Sequence, residues 1–106
     1  MEIKELGHVV LYVRDIATSS AFYRDVLGWR QILPVEGKEL GWPAAAFNAP
    51  SGRTHHELLL IEVGQDAAGQ PNGKRIGLYH FGLKIGDSDD ELRAARDTLI
   101  SSGTPI

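Results

Sequence analysis

The residues best suited to chemistry in this sequence of 106 residues are its four histidines, since the chain contains no cysteine. His8 and His80 each stand near the start of a stretch rich in β-branched and aromatic residues, and His55 and His56 stand side by side before another. The absence of cysteine excludes disulfides, zinc–thiolate sites and cysteine nucleophiles. Metal binding and proton transfer in this chain therefore depend on imidazoles and carboxylates.

His8 and His80 occupy matching positions of an internal repeat with an offset of 72 residues. The same offset pairs Leu11 with Leu83, Asp15 with Asp87, Arg24-Asp25 with Arg96-Asp97, and Leu27 with Leu99. If the two units pack about a pseudo-twofold axis, the equivalent histidines face each other across it. Two neutral imidazoles are good ligands for iron, zinc, nickel or manganese. The alternative is that each is an ordinary, partly buried strand residue.

The adjacent pair His56 and Glu57 offers two different chemistries. Side chains alternate across a strand, so only one of the two can point into a central cavity. Glu57 pointing inward would supply a carboxylate ligand, whereas His56 would supply a proton carrier with a pKa near neutrality. A further alternative is that both residues are solvated at a strand end beside a loop.

The elements that must position these residues are predicted from apolar patterning and turn residues. Strands are expected at His8–Val13, Arg30–Val35, Ala44–Asn48 and His55–Val63. A helix should begin after an Asp15 N-cap and end at Gly28. The first half of the chain therefore has the order strand, helix, strand, strand, strand.

The second half repeats only the beginning of this order. A strand is predicted at Leu78–Ile85, followed by a helix through Glu91–Ser101 that is capped by Asp87 or Ser88 and ended by Gly103. We assign residues 1–63 to a first module, 64–76 to a Gly- and Pro-containing linker, and 77–106 to the start of a second module. The second copy lacks three strands, so we expect the sequence to be part of a longer protein.

Composition and charge narrow the classes of function. The hydrophobic fraction of 42% and charged fraction of 24% are typical of a globular domain. The net charge of −3 leaves no basic footprint, so nucleic acid is not an expected partner. No apolar stretch approaches the length of a membrane span, and the N-terminus is unlike a signal peptide. The expected location is cytoplasmic, without a membrane partner.

Three segments resemble the vicinal oxygen chelate superfamily, which includes glyoxalase I, extradiol dioxygenases, fosfomycin-resistance enzymes and bleomycin-binding proteins. They are GHVVLYVRD (7–15), AFYRDVLGW (21–29) and YHFGLKI (79–85). The resemblance covers essentially the whole chain. It implies an α+β fold in which tandem βαβββ modules form a curved mixed β-sheet around a metal, here with the second module truncated.

The resemblance also implies roles for individual residues. Histidines at the positions of His8 and His80 are metal ligands in the metal-dependent members, and a glutamate on the last strand of the second module completes the site. That glutamate is expected beyond residue 106, so this chain by itself should bind metal weakly and could lack activity. With Fe(II) or Mn(II), the metal would act on a substrate whose adjacent oxygens chelate it.

The surroundings of His56 divide the subfamilies. Extradiol dioxygenases commonly carry a similar His-His-Xaa-Leu stretch whose second histidine moves protons, which would make His56 the catalytic acid–base residue. Glyoxalase I places a glutamate ligand on the corresponding strand, which would favour Glu57 and Zn(II) or Ni(II). The preferred function is therefore a dioxygenase-like enzyme. The alternatives are a glyoxalase-like lyase or isomerase, and a metal-free drug-binding or resistance protein.

The expected partners are a small-molecule substrate and a second copy of the chain. An unfinished sheet exposes open edges, and such edges pair readily with other strands. The resemblance to the superfamily, whose members often dimerise or swap modules, points the same way, so we expect a homodimer in which modules can be exchanged between the copies.

Overall fold

A computed structural model describes residues 1–35 and 41–106, and for residues 33–35 it describes the backbone alone. The chain divides into two compact units, Met1–Ala68 and Gly69–Ile106. Among the described residues, the elements of the first unit are, in order, β1 (Val9–Val13), α1 (Ile16–Ala21) with a π-helical turn (Phe22–Val26), β2 (Arg30–Val35), β3 (Ala44–Asn48) and β4 (Leu58–Glu62). The second unit contains α2 (Asp89–Ser101). The α+β class and a βαβββ order in the first unit are thus confirmed.

The four strands form one mixed sheet in the order β1-β4-β3-β2. β1 runs parallel to β4, with Leu11 opposite Leu60, while the other two pairs are antiparallel. Pro34 lies in β2, an edge strand, where the missing N–H of proline leaves no gap inside the sheet. In this strand order, β1 and β4, the first and last strands of the unit in sequence, are direct neighbours.

One face of this sheet forms the hydrophobic core. Phe47, Leu58 and Leu60 are almost fully buried there, and Leu11 and Val13 of β1 pack against them. Side chains of a strand point alternately to the two faces. The intervening residues of β1, Val10 and Tyr12, are accordingly exposed on the opposite face.

Helix α1 begins where the sequence predicts it. The side chain of Asp15 accepts a hydrogen bond from the backbone N–H of Thr18 at 2.8 Å, as an N-cap residue does. A carboxylate from β4 adds to this cap, because Glu62 accepts from the backbone N–H of Ile16 at 2.9 Å. The bond between Ile16 and Glu62 ties the start of α1 to the end of β4.

The end of α1 departs from a regular α-helix. It continues into a π-helical turn at Phe22–Val26, in which the N–H of Leu27 donates to the carbonyl of Phe22 at 3.1 Å. Gly28 then adopts a φ of +72°, a left-handed conformation that glycine accepts without steric cost. The predicted end of the helix at Gly28 is therefore correct, although the pattern did not indicate the wider turn.

In the second unit, α2 has a complete capping box. The Ser88 side chain accepts from the N–H of Glu91 at 3.2 Å, and the Glu91 carboxylate accepts from the N–H of Ser88 at 3.0 Å. Of the two predicted caps, Ser88 is the one used. Gly103, with a φ of +77°, follows the helix as expected.

The predicted strand at 78–85 pairs with no strand in the described part of the chain. A strand is defined by hydrogen bonds to a neighbouring strand, so an apolar pattern is not sufficient to form one. Several of its apolar side chains, among them Tyr79 and Leu83, are exposed. In residues 1–35 and 41–106, no helix has the length and apolar character needed to cross a bilayer.

Candidate functional site

Two of the predicted site residues, His8 and His56, lie against each other in the first unit. Their ring centroids are 4.7 Å apart, and the ring planes are inclined by 37°. His8 is exposed and immediately precedes β1, whereas His56 is partly buried and precedes β4. Because β1 and β4 are parallel neighbours, both strands begin at the same end of the sheet, and the residues that lead into them lie there.

Backbone and side-chain hydrogen bonds fix the segment that carries His56. Thr54 Oγ1 lies 2.9 Å from the carbonyl oxygen of His56 and 3.2 Å from that of Gly7, and its single hydroxyl hydrogen is shared between these two acceptors. The N–H of Val9 donates to the carbonyl of Glu57 at 2.9 Å. The loop before β4 is thereby held against the start of β1, where His8 is located.

Glu57 is engaged in closing the connection between β3 and β4. Its carboxylate accepts from the N–H of Ala49 at 2.9 Å, and its own N–H donates to the carbonyl of Phe47 at 3.0 Å. A carboxylate that accepts a backbone N–H in this way stabilises a loop. Glu57 therefore has a structural role in addition to any role as a ligand.

The strand alternation that underlies the choice between His56 and Glu57 does not extend to these residues. The expected strand begins at His55, but β4 begins at Leu58. Within β4, the alternation holds, because Leu58 and Leu60 share the buried face. Ahead of it the backbone is irregular, so His56 reaches His8 while Glu57 turns to Ala49.

His55 adds a third imidazole to this group. The Nδ1 atoms of His55 and His56 are 2.9 Å apart, and the two rings meet edge to face with centroids 5.2 Å apart. Partial burial, followed by repulsion from His8 and His55, lowers the pKa of His56, and the charge of Glu57 opposes this shift. The neutral form of the His56 ring is favoured as a result.

His80 belongs to the second unit. Its side chain is exposed, and its ring lies edge to face with Tyr79 at a centroid distance of 5.0 Å. Lys84, four residues later, forms an ion pair with Asp87. The imidazole of His80 makes no hydrogen bond within the described part of its unit and is available as a ligand.

The donor set fits a divalent transition metal only in part. His8 and His80 present exposed imidazoles, which are suitable ligands for such an ion. However, no three His, Cys, Asp or Glu side chains within the described ranges are assembled to hold a metal ion. Each of the two imidazoles is thus suitable as a single ligand, and the described residues assemble no complete coordination sphere.

Thr54 and His55 both contact His56, although the sequence analysis assigned neither of them a role of its own. The signal for Thr54 is its position two residues before His56, since Ser and Thr hydroxyls often bond to a nearby backbone carbonyl. For His55, the signal is the His-His dipeptide itself, because neighbouring residues in an irregular segment are free to turn their rings toward each other.

Three comparisons place the chain among known proteins. The family model described as the Glyoxalase/Bleomycin resistance protein/Dioxygenase superfamily matches residues 5–106. Catechol-2,3-dioxygenase of Bacillus subtilis (strain 168) is 35% identical over 75 residues, which are 70% of this chain and 25% of that protein. The chain thus spans about a quarter of the length of this curated relative.

Two solved structures show the same fold at low identity. A glyoxylase/bleomycin resistance protein/dioxygenase domain from Frankia sp. EAN1pec superposes with a TM-score of 0.71 at 23% identity, covering 96% of this chain and 76% of that one. A mutant of the fosfomycin resistance protein FosX from Listeria monocytogenes, solved with Mn(II) and 1S,2S-dihydroxypropylphosphonic acid, superposes with a TM-score of 0.62 at 14% identity. It is matched over 96% of this chain and 71% of its own.

Proposed function

We propose that this chain, which belongs to the Glyoxalase/Bleomycin resistance protein/Dioxygenase superfamily, takes part in metal-dependent chemistry of the extradiol dioxygenase type. The substrate would be a small molecule whose two adjacent oxygen atoms chelate the ion. The observation that supports the proposal most directly is the contact between the rings of His8 and His56, whose centroids are 4.7 Å apart. The identity with a catechol dioxygenase supports the same choice.

His8 and His80 are the residues proposed to hold the metal, with Fe(II) or Mn(II) preferred. When bound, such an ion supplies electrophilic activation and a template for adjacent oxygens. The proposed third ligand is a glutamate outside these 106 residues. His8 and His80 each have an exposed ring, so coordination would not require a buried group to be uncovered.

His56 is proposed to accept and return the substrate proton. Its Nδ1 lies 2.9 Å from the Nδ1 of His55, which leaves Nε2 as the nitrogen free for transfer. Its partial burial favours the neutral ring, the form that accepts a proton. Thr54 and the backbone of Glu57 hold the segment in place, so His56 keeps its position relative to His8.

The glyoxalase-like alternative would make Glu57 a metal ligand. The bond from the Ala49 N–H to the Glu57 carboxylate favours a structural role for this residue over a catalytic one. The choice of metal separates these enzymes: iron or manganese in protein purified without chelator would support a dioxygenase. Zinc or nickel would instead point to a glyoxalase-type activity with Glu57 as ligand.

The ligand assignment is tested by adding Mn(II) in small amounts and following the imidazole signals of the chain by NMR. Paramagnetic Mn(II) broadens nearby signals, so the rings of His8 and His80 should broaden at the same metal concentration. The replacement His80→Ala should reduce the broadening at His8, because it removes one of two ligands. His55→Ala is the matched control and should leave the broadening of His8 and His80 unchanged.

Two outcomes would contradict the proposal. Broadening at His8 that is the same with and without His80 would remove His80 from the site. A lack of broadening at all four histidines would leave His8 and His80 without a metal role and would favour a binding protein that uses no metal.

A further inference from the structure

We propose that Asn72 is a site of spontaneous covalent modification, at which the backbone nitrogen of Gly73 attacks the asparagine side chain and converts it into aspartate and isoaspartate. The site lies in the segment 64–76 and uses none of the residues that have a role in the proposed function. Its only co-reactant is water. The proposal therefore stands or fails separately from the metal chemistry described above.

The reaction is a cyclisation followed by hydrolysis. A bond forms between the Gly73 nitrogen and Asn72 Cγ, the bond from Cγ to Nδ2 breaks, and ammonia leaves with the proton of the Gly73 N–H. Water then opens the five-membered imide ring. Cleavage between the nitrogen and Cγ gives aspartate. Cleavage between the nitrogen and the backbone carbonyl carbon of Asn72 gives isoaspartate, in which the chain continues through Cγ.

The attacking nitrogen is exposed and has no partner to leave. Asn72 and Gly73 are both exposed and lie in a stretch without helix or strand. Within residues 1–35 and 41–106, the N–H of Gly73 makes no hydrogen bond. No protein hydrogen bond therefore has to break before the nitrogen approaches the side chain, and the folded chain adds no such cost to the barrier.

The backbone at Gly73 leaves the space that ring closure needs. Its φ of +89° is a left-handed conformation that glycine accepts without steric cost. Apart from the two chain neighbours, no heavy atom lies within 4 Å of the place that a Cβ would take. Since nothing packs against the residue, rotations of the local backbone can bring its nitrogen to Asn72 Cγ.

Positive side chains follow the reacting pair directly. The guanidinium group of Arg75 donates to the carbonyl of Pro71, so the two residues that flank the bend at 72–73 are joined. Lys74 adds a second exposed cation. Attack on the amide places negative charge on the former carbonyl oxygen, and nearby positive groups stabilise such charge. Both cations are exposed, so solvent screens this contribution.

The other asparagine of the chain provides an internal contrast. Asn48 ends β3, is partly buried, and is followed by Ala49, whose Cβ crowds the nitrogen. The N–H of Ala49 donates to the Glu57 carboxylate at 2.9 Å. Because this bond to a charged acceptor must break first, Asn48 should react at least about tenfold more slowly than Asn72.

The test is a time course of the 106-residue chain in mildly alkaline buffer, read by tryptic digestion and tandem mass spectrometry. Arg53 separates the two asparagines, so each is followed on its own peptide. Asn72 should gain the mass that replaces NH by oxygen, and it should appear as both aspartate and isoaspartate. Its conversion should be at least about tenfold faster than that of Asn48.

Two variants test the roles of the reacting groups. Gly73→Ala keeps the asparagine but places a Cβ beside the nitrogen, and conversion of Asn72 should slow. Alanine is strained at a φ of +89°, so Asn72→Gln is the second variant. Its longer side chain would have to close a six-membered ring, and residue 72 should stay unmodified over the same period.

A parallel time course in urea separates the effect of the fold from that of the local sequence. Unfolding frees the N–H of Ala49 from Glu57, so conversion of Asn48 should accelerate, whereas that of Asn72 should change little. An Asn72 rate that rises by about tenfold or more on unfolding would overturn the proposal, because the folded segment would then protect the residue.

Two results in the folded chain would also overturn the proposal. Equal conversion of Asn72 and Asn48 would remove the advantage assigned to the exposed pair. Aspartate without isoaspartate at Asn72 would indicate direct hydrolysis of the side chain, with no attack by the Gly73 nitrogen. Ion exchange provides a second readout, since each conversion changes the net charge of the chain from −3 to −4.

Discussion

At the scale of single residues, the contrast between His56 and Glu57 matters most for function. The two are neighbours in the chain, but His56 contacts His8 and Glu57 accepts from the N–H of Ala49. A short irregular segment ahead of β4 allows both side chains to find partners on different sides. His56, the proposed proton carrier, and Glu57, which closes the loop, are thus adjacent in the chain but have different partners.

The structural role of Glu57 predicts a loss of stability on its removal. Glu57→Ala should lower the free energy of unfolding by about 1–3 kcal/mol, because the Ala49 N–H loses a partly buried, charged acceptor. Glu57→Gln, which keeps an acceptor oxygen, should lose less. Urea unfolding of the three proteins measures the difference. Wild-type stability in Glu57→Ala, together with weaker metal binding in Glu57→Gln, would favour Glu57 as a ligand.

At the scale of elements, helix starts are set by local side chains, and neighbouring strands reinforce them. Asp15 caps α1 from within its own sequence, and Glu62 of β4 adds a second acceptor. In α2, Ser88 and Glu91 form a reciprocal cap that needs no other element. The π-helical turn after α1 precedes Trp29, which packs on the core together with Tyr23.

The α2 cap predicts that this helix loses stability in acid. Bonds from the N–H of Asp87, and from the hydroxyl and N–H of Ser88, lower the pKa of the Glu91 carboxyl group in the folded state. A depressed folded pKa contributes stability above the unfolded pKa, and that stability is lost as the pH falls through the folded pKa. The amide NMR signals of residues 89–101 should therefore show fraying at acidic pH.

Glu91→Gln is the control for this acid effect. Glutamine keeps the capping-box acceptor but does not titrate, so most of the acid-induced fraying should disappear. A smaller part should persist because Asp89 and Asp90 also lie in the first turn, where negative charge is favourable. An acid transition of equal size in wild type and Glu91→Gln would assign the effect to these two aspartates or to another group.

At the scale of the whole molecule, the chain consists of two units with different contents. The first, Met1–Ala68, contains the four-stranded sheet, and the second, Gly69–Ile106, contains α2. The boundary between the two units, at Ala68 and Gly69, falls inside the segment 64–76, which we predicted to be a linker. The second module, the homodimer and a small-molecule partner remain predictions at this scale.

A linker at 64–76 predicts where a protease cuts first. Lys74 and Arg75 are exposed in a segment without helix or strand, and such segments are preferred sites of cleavage. Trypsin at low concentration should cut there before it cuts at Arg14 or Arg24, which lie beside β1 and in the π-helical turn. Mass spectrometry of the early fragments checks the order. A first cut after Arg14 or Arg24 would contradict the proposed organisation.

Residues with local signals determined much of the fold. The bounds of β2 and β3, the Asp15 cap and the Gly28 end of the first helical segment follow from side chains within a few residues of each feature. The same holds for α2, although Ser88 rather than Asp87 caps it. Capping and glycine preferences act over short distances, and therefore they can be recognised in the sequence alone.

Features that depend on contacts between residues far apart in the sequence could be recognised only from the tertiary structure. The bond from the Val9 N–H to the carbonyl of Glu57, just ahead of β4, and the contact of His8 with His56 join residues nearly 50 positions apart. The pattern at 78–85 resembles a strand, but strand formation requires a neighbouring strand. The sequence determined which residues have suitable chemistry, whereas long-range hydrogen bonds and packing decided which of them meet.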